Sequence, residues 1–206
     1  MKNILGQDGL VYRVLTRAVD LIILNLVFCV SCIPVFTIGA ALTALYSVTL
    51  KMCRNEESYI VRSYIQYFKE NFKKATAAWG ICALVLILFY VDFSITAGMD
   101  SELGFALTTA VLAAALFVAM VLSYVFPLMA KFENTLSNTF KNALIISMTR
   151  ILYTVPVTAV NLIFVFVMFA GGMPMVYGVP AYLTIGFSLT AYVNSFLLGK
   201  VFERYV

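Results

Sequence analysis

Residues 18–50 read AVDLIILNLVFCVSCIPVFTIGAALTALYSVTL, an apolar stretch broken only around Pro34 and Gly39. How often this stretch crosses a bilayer decides the topology of the whole chain. Proline disfavours a continuing helix and glycine accepts turn conformations, so the stretch is either one long helix interrupted at Pro34–Gly39 or two short helices with a turn between them. Ala18–Ile33 gives roughly 24 Å of helix and Ala40–Leu50 about 17 Å, against a hydrocarbon core of about 30 Å. Length therefore leaves the count open. The stretch is one long helix that crosses once, a pair of crossings, a re-entrant hairpin buried in a bundle, or a pair whose helices run on into the cytoplasm.

Charge favours two crossings. Fourteen Lys and Arg residues are present. Lys2, Arg13 and Arg17 precede the stretch; Lys51, Arg54, Arg62, Lys69, Lys73 and Lys74 follow it. Lys131, Lys141 and Arg150 form a third group, and Lys200 and Arg204 a fourth. The linker around Asp92, Asp100 and Glu102 is acidic, and Gly171–Pro180 carries no charge. If residues 18–50 cross twice, every basic residue falls on one side, as the excess of cations on cytoplasmic loops requires. Pro34–Gly39 is then the outer turn, and both termini are expected in the cytoplasm.

Working outward, Ala75–Gly98, Leu103–Ala130, Ile151–Ala170 and Ala181–Gly199 are each apolar and long enough to span. Hydrophobic residues make up 63% of the 206 residues and charged residues 12%, too little polar surface for a water-soluble globule. The first apolar run has no small-residue cleavage pattern before Pro34, so it reads as a membrane helix and not as a cleaved signal. The expected fold is all-α: a polytopic transmembrane helix bundle of about six segments, forming a single integral membrane domain over residues 1–206. The net charge of +4 is explained by membrane orientation, and no nucleic-acid partner is expected.

Two polar segments have helical periodicity of their own. In Val61–Phe72, the apolar residues Val61, Tyr64, Ile65, Phe68 and Phe72 share one face, and Arg62, Gln66, Lys69 and Lys73 the other. In Glu133–Arg150, Leu136, Phe140, Ala143, Leu144 and Ser147 oppose Asn134, Asn138, Lys141 and Asn142. Both are expected to lie at the cytoplasmic interface as amphipathic helices. Their polar faces either pack plainly under the bundle or dock a partner, with Arg62, Lys69, Lys73, Asn138, Lys141 and Asn142 the candidate contacts. Each segment follows a membrane segment ending in lysine, Lys51 or Lys131, which suggests a repeated pattern of helix down, interfacial helix, helix up.

Candidate chemistry is sparse. The sequence contains no histidine, so Ser-His-Asp catalysis and His-based zinc sites are excluded. No phosphate-binding G-x-x-x-x-G-K-[ST] loop is present. Cys29 and Cys32 form a C-x-x-C, but in an apolar run they read as small packing residues on one helix face. No cofactor or metal is expected, and no enzymatic activity. No carboxylate falls at mid-bilayer depth, which argues against an ion-driven transporter built on a buried acid. Neutral polar residues do fall at depth: Asn25, Tyr46, Asn161 and Asn194. They either hydrogen-bond between helices or line a pathway. Pro34 and Gly39 mark either an outer turn or an interrupted helix lining a site.

Four motifs carry a resemblance. Ile33-Pro34-x-x-x-Ile38-Gly39-Ala40-Ala41 is followed by Ala44-Leu45-Tyr46. Asn71-Phe72-Lys73-Lys74-Ala75 leads into the next span. Tyr124-x-x-Pro127-Leu128-x-Ala130-Lys131-Phe132 closes a later one, and Lys141-Asn142-Ala143-Leu144 follows it. In order and spacing, from about Gly9 to Tyr205, these resemble the YesL-like bacterial membrane proteins. The resemblance implies a multi-pass protein of the bacterial inner membrane, without established biochemical activity. It also implies association with carbohydrate uptake systems of the ATP-binding-cassette (ABC) type, with importer permease or ATPase subunits as partners. It supplies no catalytic residues. The expectation is thus a non-catalytic accessory component of such an importer. The alternative is a free-standing small transporter or channel, alone or as a homo-oligomer.

Overall fold

The computed structural model describes residues 10–56 and 59–203. Lys2, Gly9, Arg204 and Tyr205 lie outside the described residues. The helices are α1 (Leu10–Ser31), α2 (Ile38–Met52), α3 (Ile60–Ala97), α4 (Glu102–Lys131), α5 (Leu136–Thr149), α6 (Ile151–Phe169), α7 (Gly172–Ala181) and α8 (Phe187–Phe202). A short 3₁₀ turn, Val35–Thr37, precedes α2, and a π turn, Tyr182–Gly186, joins α7 to α8. The protein is an all-α helical bundle. Among the described residues, six helical stretches are long and apolar enough to cross a membrane: 12–31, 35–52, 60–97, 102–131, 151–169 and 172–202.

The broken stretch becomes a hairpin. The α1 helix ends at Ser31, and Thr37 closes the turn by donating from Oγ1 to the carbonyls of Ser31 and Pro34, each at 2.6 Å. The Ser31 carbonyl is one that the end of a helix leaves open, and the Pro34 carbonyl also accepts from the Thr37 amide at 2.9 Å. The second arm, α2, is the centre of the bundle: 12 of its 15 residues are buried. It packs most extensively along α3 and also touches α1, α4 and α8. The contact with α3 depends on small residues. A Cβ placed on Gly39 would lie 2.2 Å from the Ala75 carbonyl oxygen and 2.7 Å from Trp79 Cβ. Ala40, Ala41 and Ala44 on α2 and Ala75 and Ala78 on α3 are likewise fully buried. At the far end of α2, Lys51 Nζ donates to the Tyr67 hydroxyl and sits over its ring, 4.9 Å from the centroid.

The structure changes three details of the sequence reading. Val61–Phe72 is helical, but it is the first third of the continuous 38-residue α3 and not a separate interfacial helix. The junction Asn71–Ala78 contains no glycine, proline or capping break, and its lysines and alanines favour helix. In the second polar segment a break does occur. Thr135 caps α5 by accepting from the Asn138 amide at 3.4 Å, and Arg150 alone separates α5 from α6. The repeat therefore holds in element order but not in geometry. Finally, the uncharged linker 171–180 is mostly helix, since α7 occupies Gly172–Ala181 and extends the last span upstream.

Beyond Cys82 on α3 and before Tyr124 on α4, Gly104 is the one buried residue. Leu84, Ile87, Tyr90, Phe105 and Leu112 are exposed there, as are Leu152, Phe166 and Phe169 on α6. So much outward apolar surface requires a lipid bilayer as solvent, and the chain is a multi-pass membrane protein. Replacing Gly39 with valine should force α2 away from α3. The expected loss is about 1–3 kcal/mol, measured as a lowered unfolding midpoint in detergent; an unchanged midpoint would show that the close approach is dispensable.

Candidate functional site

The interior polar residues form two groups. The first runs across three helices around α2. Asn161 on α6 donates from Nδ2 to Ser123 Oγ on α4 at 3.0 Å. Asn194 on α8 donates from Nδ2 to Asn161 Oδ1 at 2.8 Å and to the Tyr46 hydroxyl on α2 at 3.4 Å. One turn further along α2, Thr49 Oγ1 and Ser195 Oγ pair at 2.8 Å. Asn194 is fully buried, yet its Oδ1 has no partner. Turning the amide by half a circle would exchange the lone oxygen for a lone nitrogen, so one end of Asn194 stays unmatched either way.

The second group holds the π turn. Asn25 on α1 donates from Nδ2 to the carbonyls of Tyr182 and Leu183, at 3.0 and 2.8 Å, and accepts at Oδ1 from the Ser188 amide at 2.9 Å. Ser188 Oγ donates to the Leu21 carbonyl at 2.7 Å. A π turn shifts the backbone ladder and leaves carbonyls to be satisfied from outside the helix. In a water-free interior one asparagine does this, and it locks α1 to the last span at the same time.

Between the two groups lies a cavity of about 570 Å³, bounded by α1, α2, α6, the π turn and α8, with Trp79 of α3 at one side. Its wall is mostly apolar, and Phe28, Trp79, Phe164, Tyr182 and Phe187 give it an aromatic side. Phe164 and Phe187 meet as tilted rings at 4.8 Å between centroids, and Phe164 and Tyr182 likewise at 5.0 Å. Tyr46 and Asn161 bring the first polar chain to its surface. A concave, mostly apolar space with a few convergent polar groups is the usual form of a small-molecule site.

The sequence candidates separate accordingly. Tyr46, Asn161 and Asn194 are bonded into one chain, while Asn25 stands apart at the π turn. Pro34 is exposed on the hairpin tip, and Gly39 is spent on helix packing. Pro127 lies within the fully buried run Tyr124–Met129 of α4. Next to it, Tyr124 meets Thr154 Oγ1 at 2.9 Å, tying α4 to α6. Of the candidate docking residues, Arg62, Lys69 and Lys73 are exposed on α3 and Asn138 and Lys141 on α5, whereas Asn142 is half-buried beside Leu128 and Ile146. Cys29 and Cys32 are free and half-buried, and both line the cavity. Among the described residues, no three or more Asp, Glu, Cys or His side chains cluster as a metal site would need. Ser123, Ser188 and the π turn escaped the sequence reading. Ser123 is one hydroxyl among many in apolar runs, and only Gly186 and Pro180 hint at an irregular last span.

The site thus belongs to a multi-pass helical membrane protein with an internal, uncharged cavity. Residues 21–93, which include Asn25, the hairpin tip, Tyr46 and Trp79, match the family model described as "Protein of unknown function, DUF624". No match is found among curated proteins or among solved structures. Replacing Asn25 with leucine should leave two carbonyls and an amide unpaired. A loss of about 1–3 kcal/mol is expected as a lowered unfolding midpoint, and an equal midpoint would mean that the π turn relaxes without its partner.

Proposed function

We propose that the chain is a non-catalytic accessory component of a carbohydrate importer of the ABC type, a YesL-like protein of the bacterial plasma membrane with its basic ends in the cytoplasm. The observation that carries this reading is the stripe Arg62, Gln66, Lys69 and Lys73. At spacings of four, seven and eleven residues they share one face of α3, and all four are exposed. Arg62, Lys69 and Lys73 are exposed cations, suited to meet an acidic face on a permease or ATPase subunit. Lys141 and Asn138 offer a second exposed polar patch on α5. Without a phosphate-binding loop, transport energy would come from the separate ATPase.

The test is purification of the tagged protein in mild detergent from its native cells, compared with a Lys69→Glu/Lys73→Glu variant. Permease and ATPase subunits should accompany the parent in stoichiometric amounts, and charge reversal should reduce them at least about tenfold if the contact is worth roughly 1.4 kcal/mol or more. Equal recovery of these subunits with both proteins would count against the α3 stripe that carries the reading, and recovery only as a homo-oligomer would falsify the accessory reading itself.

A second reading, a free-standing transporter or channel, is supported by the Tyr46–Asn194–Asn161–Ser123 chain beside the cavity. In that case Asn161→Leu combined with Asn194→Leu should lower solute uptake into proteoliposomes containing only this protein. Uptake equal to the parent's would remove the support.

A further inference from the structure

We propose that the cavity between α1, α2, α6 and α8 binds one uncharged, single-chain lipid, which enters sideways from the bilayer. Its chain lies along the aromatic wall, and one oxygen accepts hydrogen bonds from the Tyr46 hydroxyl and the Asn161 amide. Three observations converge on this ligand class.

The first is the mouth. Ile33 on the hairpin tip and Leu183 in the π turn line the cavity while remaining 76% and 52% exposed. Both are apolar, so the mouth offers hydrocarbon side chains to its surroundings, and a chain arriving from the bilayer meets no polar barrier there. The second is the wall. None of the lining residues is charged, and the space of about 570 Å³ lies within the roughly 300–1,000 Å³ of small-molecule sites. An ionised headgroup would lose its hydration there and find no counter-charge. A sugar, with a hydroxyl on nearly every carbon, would find too few partners.

The third is the hydrogen-bond inventory. The Tyr46 hydroxyl receives the Asn194 amide, but its own proton has no acceptor among the described residues, and Tyr46 is only 6% exposed. Asn161 uses one amide proton on Ser123 and its oxygen on Asn194, which leaves its second amide proton free. The capacity left over at the cavity surface is therefore donor capacity. The unmatched Oδ1 of Asn194 lies immediately behind it, so the chain is not closed on itself. A ligand with an acceptor oxygen, such as an ester carbonyl, pairs the two free protons, while Asn194 Oδ1, itself an acceptor, stays unmatched.

Trp79 is the only tryptophan of the chain and lines the cavity, so it reports occupancy directly. The full-length protein in detergent is titrated with a monoacylglycerol brominated along its chain, and quenching of Trp79 fluorescence is followed. Saturating quenching is expected. The apparent affinity should fall about 2- to 10-fold in Tyr46→Phe, which loses one hydrogen bond. Quenching by the bound lipid should disappear in Ala191→Phe, which fills the cavity from α8. Leu42→Phe fills it from α2 and serves where the first variant does not fold, as judged by its unfolding midpoint. Quenching that rises in proportion to lipid and is the same in parent and filled variants would overturn the proposal, because only the annular shell would then be sampled. Equal affinity for an ionised brominated fatty acid would overturn the uncharged ligand class. The purified chain is used alone, so neither result depends on association with an importer.

Discussion

The near-contact of Gly39 with the backbone of α3 sets the arrangement of everything else. Two helices approach this closely only where side chains are absent or small, and α2 and α3 meet through glycine and alanine. In lipid there is no hydrophobic drive between helices, so the seam holds by van der Waals contact over a long, flush surface. An approach this tight encloses α2 almost completely, and the enclosure resolves a conflict of lengths. At about 22 Å, α2 is too short to face hydrocarbon along a full crossing. Surrounded by α1, α3, α4 and α8, it does not have to. The longer helices carry the lipid-facing surface, and the short one fills the space they leave.

An interior built this way excludes water, so each polar group in it must be answered by protein. Most are answered within their own helix. Thr43 donates to the Gly39 carbonyl, Ser47 to the Thr43 carbonyl and Thr49 to the Leu45 carbonyl. Bonds of this kind hide hydroxyls cheaply, because the acceptor is one turn away. The asparagines cannot be hidden locally, since an amide has too many donors and acceptors for one turn of backbone to match. Asn25 is matched by the π turn, whose displaced carbonyls need it in return. Asn194 is matched on one side only, and its free end lies behind the cavity wall. The two asparagine sites thus differ in kind: one is closed and structural, the other open.

Much of this was legible in the sequence. The count of spans, the hairpin at Pro34–Gly39 and the depth of Tyr46, Asn161 and Asn194 followed from hydropathy and charge, because lipid imposes a coarse rule on composition. The continuity of α3 was harder to see. The switch from an amphipathic to an apolar pattern near Ala75 resembles a boundary, yet a helix needs a breaker to stop and none is there. The π turn was invisible for the opposite reason: its cause is the distant Asn25, and periodicity within one segment cannot register a bond across 157 positions. The cavity was illegible as well, since it is a gap left by packing, and its aromatic residues come from six separate elements.

The neutrality of the interior limits how such a cavity can discriminate. Among the described residues, no Asp, Glu, Lys or Arg is buried. Selection by charge is therefore confined to exclusion, through the cost of desolvating an ion. Selection by chain length is gradual, at about 0.8 kcal/mol per methylene, and ends where the cavity does. An aromatic wall favours no particular atom along an alkyl chain. The sharp element is the donor pair, because a ligand without an acceptor leaves the Tyr46 and Asn161 protons unpaired where water does not reach them. Mismatch at such groups costs more than the loss of a methylene. Any specificity beyond size must therefore come from the ends of two side chains on α2 and α6, held in place by Asn194 between them.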